Sequence, residues 1–353
     1  MAEPEILDRT TSGRRIWHLP LRAHVAALAV VVLALVPLIG TGSSFSADEG
    51  AAIVQARSLS RGDGWIVEHP VPEADPAGVA YPLELSERGP KGTAPFAKHP
   101  VYALLLAGAD RVAGNAGMVL LSVLGTVAAA ALAALLAARI DPGLARPTLW
   151  AAGVASPLLF DGYLVIAHTL GAACAAGAVL AAAVAFERRS RVAALAVAPC
   201  VAAAVLLRTE AAFLALGLAM AAVVVGARRG NRFVGGLVAV GSVASALIAR
   251  MGERAWISQI VGSGGAGTGA ASPPVESGFI ADRWQAFVLT WLRPSYDAAP
   301  VVELLLVLML GALLLGAYAV RRGRPGIGPI AVTAAACAAV SYTHLTLPTI
   351  CSV

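Results

Sequence analysis

The sequence predicts an all-α fold, a polytopic transmembrane helix bundle with interfacial helices in its first outer loop. Three observations carry that prediction. Of 353 residues, 58% are hydrophobic and 13% charged, a composition outside the range of soluble globular chains. The apolar residues gather in runs close to the roughly 20 that a helix needs to cross a hydrocarbon core. The Arg residues fall in short clusters between those runs, so the formal net charge of +5 encodes topology and no nucleic-acid partner is expected.

In lipid each backbone N–H and C=O must be paired within its own segment, which makes every long apolar run a candidate helix. Eight complete runs and part of a ninth meet this condition: His24 to Gly40, Ala116 to Ala138, Thr148 to Ala167, Thr169 to Phe186, Val192 to Leu207, Ala211 to Gly226, Phe233 to Ile248, Val301 to Val320, and one beginning at Ile327. The first follows Arg9, Arg14, Arg15 and Arg22 and lacks a small-residue cleavage site, so it is expected to be a retained span with residues 1–23 in the cytoplasm. Alternation from there places Arg139 with Arg146, Arg188 with Arg189 and Arg191, Arg228 with Arg229 and Arg232, and Arg321 with Arg322 and Arg324 all on the cytoplasmic side. The piece Val101 to Val112 is too short to span, ends in Asp110 and Arg111, and would invert every later loop if it crossed. It is expected to be an interfacial or re-entrant outer helix.

The membrane domain thus covers residues 24–340, with long outer loops at 41–115 and 251–300 and short outer turns near His168 and Arg208. Loops of that length on a bundle are usually functional. In the second, Gly262 to Pro274 (GSGGAGTGAASPP) has the composition of a tether or a mobile lid, and Arg283 to Pro294 (RWQAFVLTWLRP) that of a helix lying in the interface. Cys174, Cys200 and Cys337 lie inside apolar runs without metal-ligand spacing, so no disulfide framework or zinc site is expected. The tail Ser341 to Val353, which contains Cys351, breaks the Ala-rich style of the chain and resembles translated sequencing-adapter read-through. It is expected to be non-native, with the natural protein longer.

Candidate chemistry begins directly after the first run, in FSADEGAAIVQARSLSRGDGW (Phe45 to Trp65), where Asp48 and Glu49 emerge before an amphipathic stretch. Desolvation at a lipid interface favours the neutral form of a carboxyl, which makes a carboxylate there a stronger base toward a hydroxyl or amine. The same position suits Asp48 as the N-cap of a helix over Glu49 to Ser60, and both readings stand. Lys98 and His99 precede Pro100, where a cation can meet a phosphate or snorkel to lipid. Arg208, flanked by Thr209 and Glu210 between two apolar runs, either faces a cavity or pairs with Glu210 to mark a turn. Asp161 and His168, towards the end of SPLLFDGYLVIAH, are candidates for an acceptor site or for structure.

Taken together, the Asp-Glu pair after a first span, a helix ending in a small-residue turn, and then AKHPVYALLLAGADRVAG (Ala97 to Gly114) resemble the GT-C class of membrane glycosyltransferases. More narrowly they are similar to the protein mannosyltransferase and ArnT-like branch, family 39 or RgtA/B/C/D-like. The resemblance follows element order from Arg14 to about Arg232 and is specific in those two segments. It implies an inverting transferase that moves a sugar from a polyprenyl-phosphate donor to a lipid, glycan or protein acceptor at the outer face of the plasma membrane. By the same resemblance Asp48, with Glu49 beside it, supplies the catalytic carboxylate, and Lys98, His99 and Arg208 lie at the donor phosphate. A fixed cation there stabilises the charge that gathers on the departing phosphate. His99 before Pro100 departs from the commoner Lys-Pro-Pro pattern, which leaves open the side chain that touches phosphate.

No cofactor is called for, while a carboxylate-bound divalent cation stays open. No Walker or Gly-rich phosphate loop follows a strand, which disfavours a nucleotide-sugar donor. The competing classes are a transporter or flippase, which should show repeats and midplane charges, and a non-catalytic membrane scaffold.

Overall fold

The computed structural model describes residues 19–39, 46–68, 93–95 and 99–261, together with 42, 44 and 73. Lys98, Val301 to Val320, the run from Ile327, the segments Gly262 to Pro274 and Arg283 to Pro294, and the tail Ser341 to Val353 lie outside the described residues.

Helix α1 (Leu21–Ile39) starts immediately after Pro20 and is apolar beyond Arg22 and His24 in its first turn. Helix α2 (Ala47–Arg61) starts at Ser46, whose hydroxyl accepts the Glu49 N–H at 3.2 Å, and ends on Gly62 in the left-handed region at φ 89°. That corrects one expectation. Ser46, not Asp48, is the N-cap, and Asp48 sits within the first turn as an exposed side chain. Two short strands, β1 (Ile66–Glu68) and β2 (Thr93–Pro95), pair antiparallel with Ile66 opposite Pro95, adding a small ribbon to an otherwise helical fold.

Helix α3 (Pro100–Ala138) is broken at Ala113 (φ −147°) and Gly114 (φ 58°, ψ −142°). A side chain at Gly117 would come within 2.3 Å of the Ala109 carbonyl oxygen, although residues eight apart in a straight helix are separated by about 12 Å. The chain therefore turns sharply. Val101 to Val112 and Ala116 to Ala138 are separate helical pieces, as the sequence anticipates.

After a 3-10 turn (Pro142–Leu144), α4 (Ala145–Val154) and the short α5 (Leu158–Asp161) follow. Here the sequence expectation fails, because Thr148 to Ala167 is not one helix. Helix α4 stops before the SerPro pair at 156–157, since proline lacks the N–H that would continue the ladder. The broken segment still runs the length of α1 in the same direction. Trp150 Nε1 donates to His24 Nδ1, Gly153 lies against Leu28, and the Tyr163 hydroxyl donates to the Val32 carbonyl at 3.0 Å.

Helices α6 (His168–Arg188), α7 (Arg191–Leu207), α8 (Ala211–Arg228) and α9 (Arg232–Val261) then alternate through short turns. Among the described residues α1, α3, α6, α8 and α9 are long and apolar enough to cross a membrane, and α7 is a shorter apolar helix. The chain fits a multi-pass membrane protein.

Two apolar cores hold the bundle. One joins α1, α2, α3 and α4 through Leu28, Val32, Leu106, Met118, Val123 and Leu149. The other joins α6 to α9 through Val197, Val201, Val205, Leu218 and Val238. Helix α3 against α6 connects them, and Gly125 permits the approach, because a Cβ there would lie 2.5 Å from the Thr169 hydroxyl oxygen.

The contacts sort charged groups to two ends. Arg139 pairs with Glu187, Arg146 Nε donates to the Leu19 carbonyl at 3.1 Å, and the Arg191 guanidinium lies 4.9 Å from the centre of the Phe233 ring. The start of α1 and the turns at Arg139, Arg189 and Arg229 therefore share one Arg-rich end. The starts of α2, α6 and α8 lie at the other.

Candidate functional site

That second end gathers six of the seven candidate residues named from the sequence, the seventh being Lys98. It begins with the two adjacent carboxylates of α2, which have opposite surroundings. The Asp48 side chain is exposed, whereas Glu49 is 2% exposed and its Oε1 accepts the Val165 N–H at 2.7 Å. An irregular stretch within a bundle leaves backbone groups that must find partners. Glu49 supplies one for residues 162–167, and by doing so fixes the first turn of α2 against the segment that leads into α6.

Three residues beyond Val165 stands His168, whose Nδ1 lies 3.2 Å from Asp161 Oδ2. The two acceptor-site candidates are thus a single pair across the 162–167 loop. One turn further along α6, Gly171 lies against the stem of Arg208, with a hypothetical Cβ 2.9 Å from Arg208 Cγ. Only glycine at this point lets the arginine cross the face of α6. The Arg208 guanidinium reaches Glu210 Oε1 at 3.1 Å, so the turn-marking ion pair is present and the side chain also stands beside the start of α6.

His99 enters from the N-terminus of α3 in a left-handed conformation (φ 47°, ψ 68°). A residue with a side chain rarely adopts this, least of all before proline. Its Nδ1 lies 3.2 Å from Glu253 Oε1, and the other oxygen of Glu253 accepts from Arg250 Nη1. Arg250 Nη1 also donates to the Thr209 hydroxyl at 3.1 Å. Near the same end Trp65, just after α2, meets Trp256 of α9 edge to face at 5.7 Å between ring centres.

Sequence reasoning did not single out Glu253 or Arg250. The signal was ARMGER at 249–254, where charges three apart follow an apolar run and so share a helix face. Their partners, at 99 and 209, belong to distant segments that no local pattern connects.

The site therefore alternates basic side chains and carboxylates: His99 with Glu253 and Arg250, Arg208 with Glu210, and His168 with Asp161. Apart from Glu253, which is 2% exposed, these side chains are 18% to 30% exposed. Such an arrangement can bind an anion by trading a carboxylate partner for it, and can bind hydroxyl groups through the carboxylates. No protein-family model, curated protein or solved structure matches this chain.

Proposed function

We propose that this protein is an inverting glycosyltransferase that moves a sugar from a polyprenyl-phosphate donor to an envelope acceptor at the outer face of the plasma membrane. The observation that carries the reading is the position of Asp48. It is an exposed carboxylate on a turn anchored through its buried neighbour Glu49, at the end of the bundle where Arg208, His99 and the Asp161–His168 pair also lie. With Ser46 as the cap, the helix has no need of the Asp48 side chain for that bond.

In this mechanism the Asp48 carboxylate takes the proton of the acceptor hydroxyl as its oxygen attacks the anomeric carbon. The bond from that carbon to the phosphate oxygen breaks on the opposite face, giving inversion, and polyprenyl phosphate leaves with the electron pair. The cations at this end stabilise the added charge on the leaving phosphate, an interaction strongest in the transition state. The Arg-rich end takes the cytoplasmic side by the positive-inside rule, which puts Asp48 outside.

The test compares envelope glycans and lipid-linked sugars in cells that carry the wild-type protein or Asp48→Asn. Loss of one glycan with accumulation of its polyprenyl-phosphate sugar, at unchanged protein level, is the expected result. Identical profiles would remove the transferase reading and leave a transporter or a scaffold.

A further inference from the structure

Glu253 shares its burial with Glu49 but holds side chains where Glu49 holds a backbone N–H. It is 2% exposed and holds a basic side chain on each oxygen, His99 on Oε1 and Arg250 on Oε2. Through these it ties together three parts of the fold that the chain sequence separates: the N-terminus of α3, the turn at Thr209 and the far end of α9.

Stability alone does not call for such a clamp, because a buried ion pair contributes no more than well-packed apolar residues of the same volume. Fixing partly exposed basic side chains is a different matter. Arg250 uses a single nitrogen, Nη1, for both its bonds, and a guanidinium carries five N–H donors. His99 engages Glu253 through Nδ1, which leaves Nε2 on the opposite edge of the ring. Both side chains remain partly exposed, at 27% and 23%. His99 is also held in a backbone conformation that persists only when its surroundings impose it, and strain of that kind collects at working sites.

We propose that Glu253 is a positioning residue for the donor: its buried carboxylate sets His99 and Arg250 so that they face, with Arg208, the phosphate of a polyprenyl-phosphate ligand. The inference rests on the transferase reading for the nature of that ligand. Glu253 itself touches no phosphate. Its carboxylate, buried behind the two basic side chains, fixes their direction.

The experiment measures binding of undecaprenyl phosphate to the purified full chain in detergent, with phosphatidylglycerol and inorganic phosphate as competitors. Glu253→Gln should weaken binding about tenfold, the scale of one hydrogen bond to a charged group. Glu253→Asp should restore most of it. The double variant His99→Gln with Glu253→Gln should bind no worse than Glu253→Gln alone, since a residue acting through its neighbour gives non-additive effects.

A wild-type protein that binds, beside a Glu253→Gln protein that binds equally well, overturns the positioning role and leaves the transferase reading intact. Absence of wild-type binding overturns both. Displacement by inorganic phosphate or phosphatidylglycerol as readily as by undecaprenyl phosphate overturns the polyprenyl ligand. Should Glu253→Gln fail to fold, Glu253→Asp and His99→Gln carry the test: weakened binding by His99→Gln with little change in its melting temperature supports the proposal, and tight binding by both variants overturns it.

Discussion

Asp48 and Glu49 are neighbours with the same chemistry and different work, and burial separates them. Glu49 holds the Val165 N–H in the interior, so Glu49→Ala leaves that donor unbonded and should cost about 1–3 kcal/mol. Thermal unfolding in detergent would show the loss, with Glu49→Gln, whose amide oxygen still accepts, losing less. Arg208→Ala should raise the apparent donor constant more than the acceptor constant, as kinetics with each substrate varied in turn would reveal. An unchanged donor constant would leave Arg208 with only its ion pair to Glu210 and its packing on Gly171. At this scale the sequence was informative about residue types and silent about pairing. Asp161 and His168 were both visible in SPLLFDGYLVIAH, seven positions apart, yet their contact depends on a loop that only the broken helix creates. Glu253 left almost no trace, because a buried acid and an exposed one read alike until the element opposite is known.

Among the elements, the helices were legible wherever composition alone decided. The break after Val112 was readable because Asp110, Arg111 and two glycines interrupt the apolar pattern. The break within Thr148 to Ala167 was not, since that stretch is apolar enough to span and only Pro157 and Asp161 argued otherwise. Hydropathy measures preference for lipid, while helix continuity depends on backbone hydrogen bonds, and proline uncouples the two. The packing of α3 on α6 gives a sharper test of the arrangement. Gly125→Val would place its Cβ 2.5 Å from Thr169 Oγ1 and 2.8 Å from the Leu170 N, both part of the first turn of α6. The helices must separate, at a cost of about 1–3 kcal/mol for an overpacked core. A lowered melting temperature is expected, while the same substitution at Gly236, which meets nothing within 4 Å, should change it little.

For the whole molecule, the Arg clusters give an expected topology, and among the described residues the clusters at 139–146, 188–191 and 228–232 do share one end. A reporter that functions only in the cytoplasm should be active when fused after Gly230, and one that functions only outside should be active after Gly269, which lies beyond the described residues. The opposite pattern would invert the assignment of both ends. Charge bias along a chain can be read without any three-dimensional information, so the gathering of the described Arg-rich turns at one end of the bundle was legible. The joining of the two apolar cores was not, since alanine and glycine fill many of the contacting faces and leave no distinctive pattern in the sequence.

The broken segment beside α1 carries a consequence for how the protein is made. Its proline, its aspartate and its irregular stretch at 162–167 make it a poor segment to enter a bilayer by itself, yet in the topology expected from the Arg clusters every later helix takes its direction from this one crossing. The partners that satisfy it, Val32 and Glu49, lie in parts of the chain synthesised earlier. Those earlier parts are therefore already made when the segment reaches the membrane. A cell that makes Glu49→Ala should contain some molecules in which the crossing failed and α6 to α9 were threaded in the opposite sense.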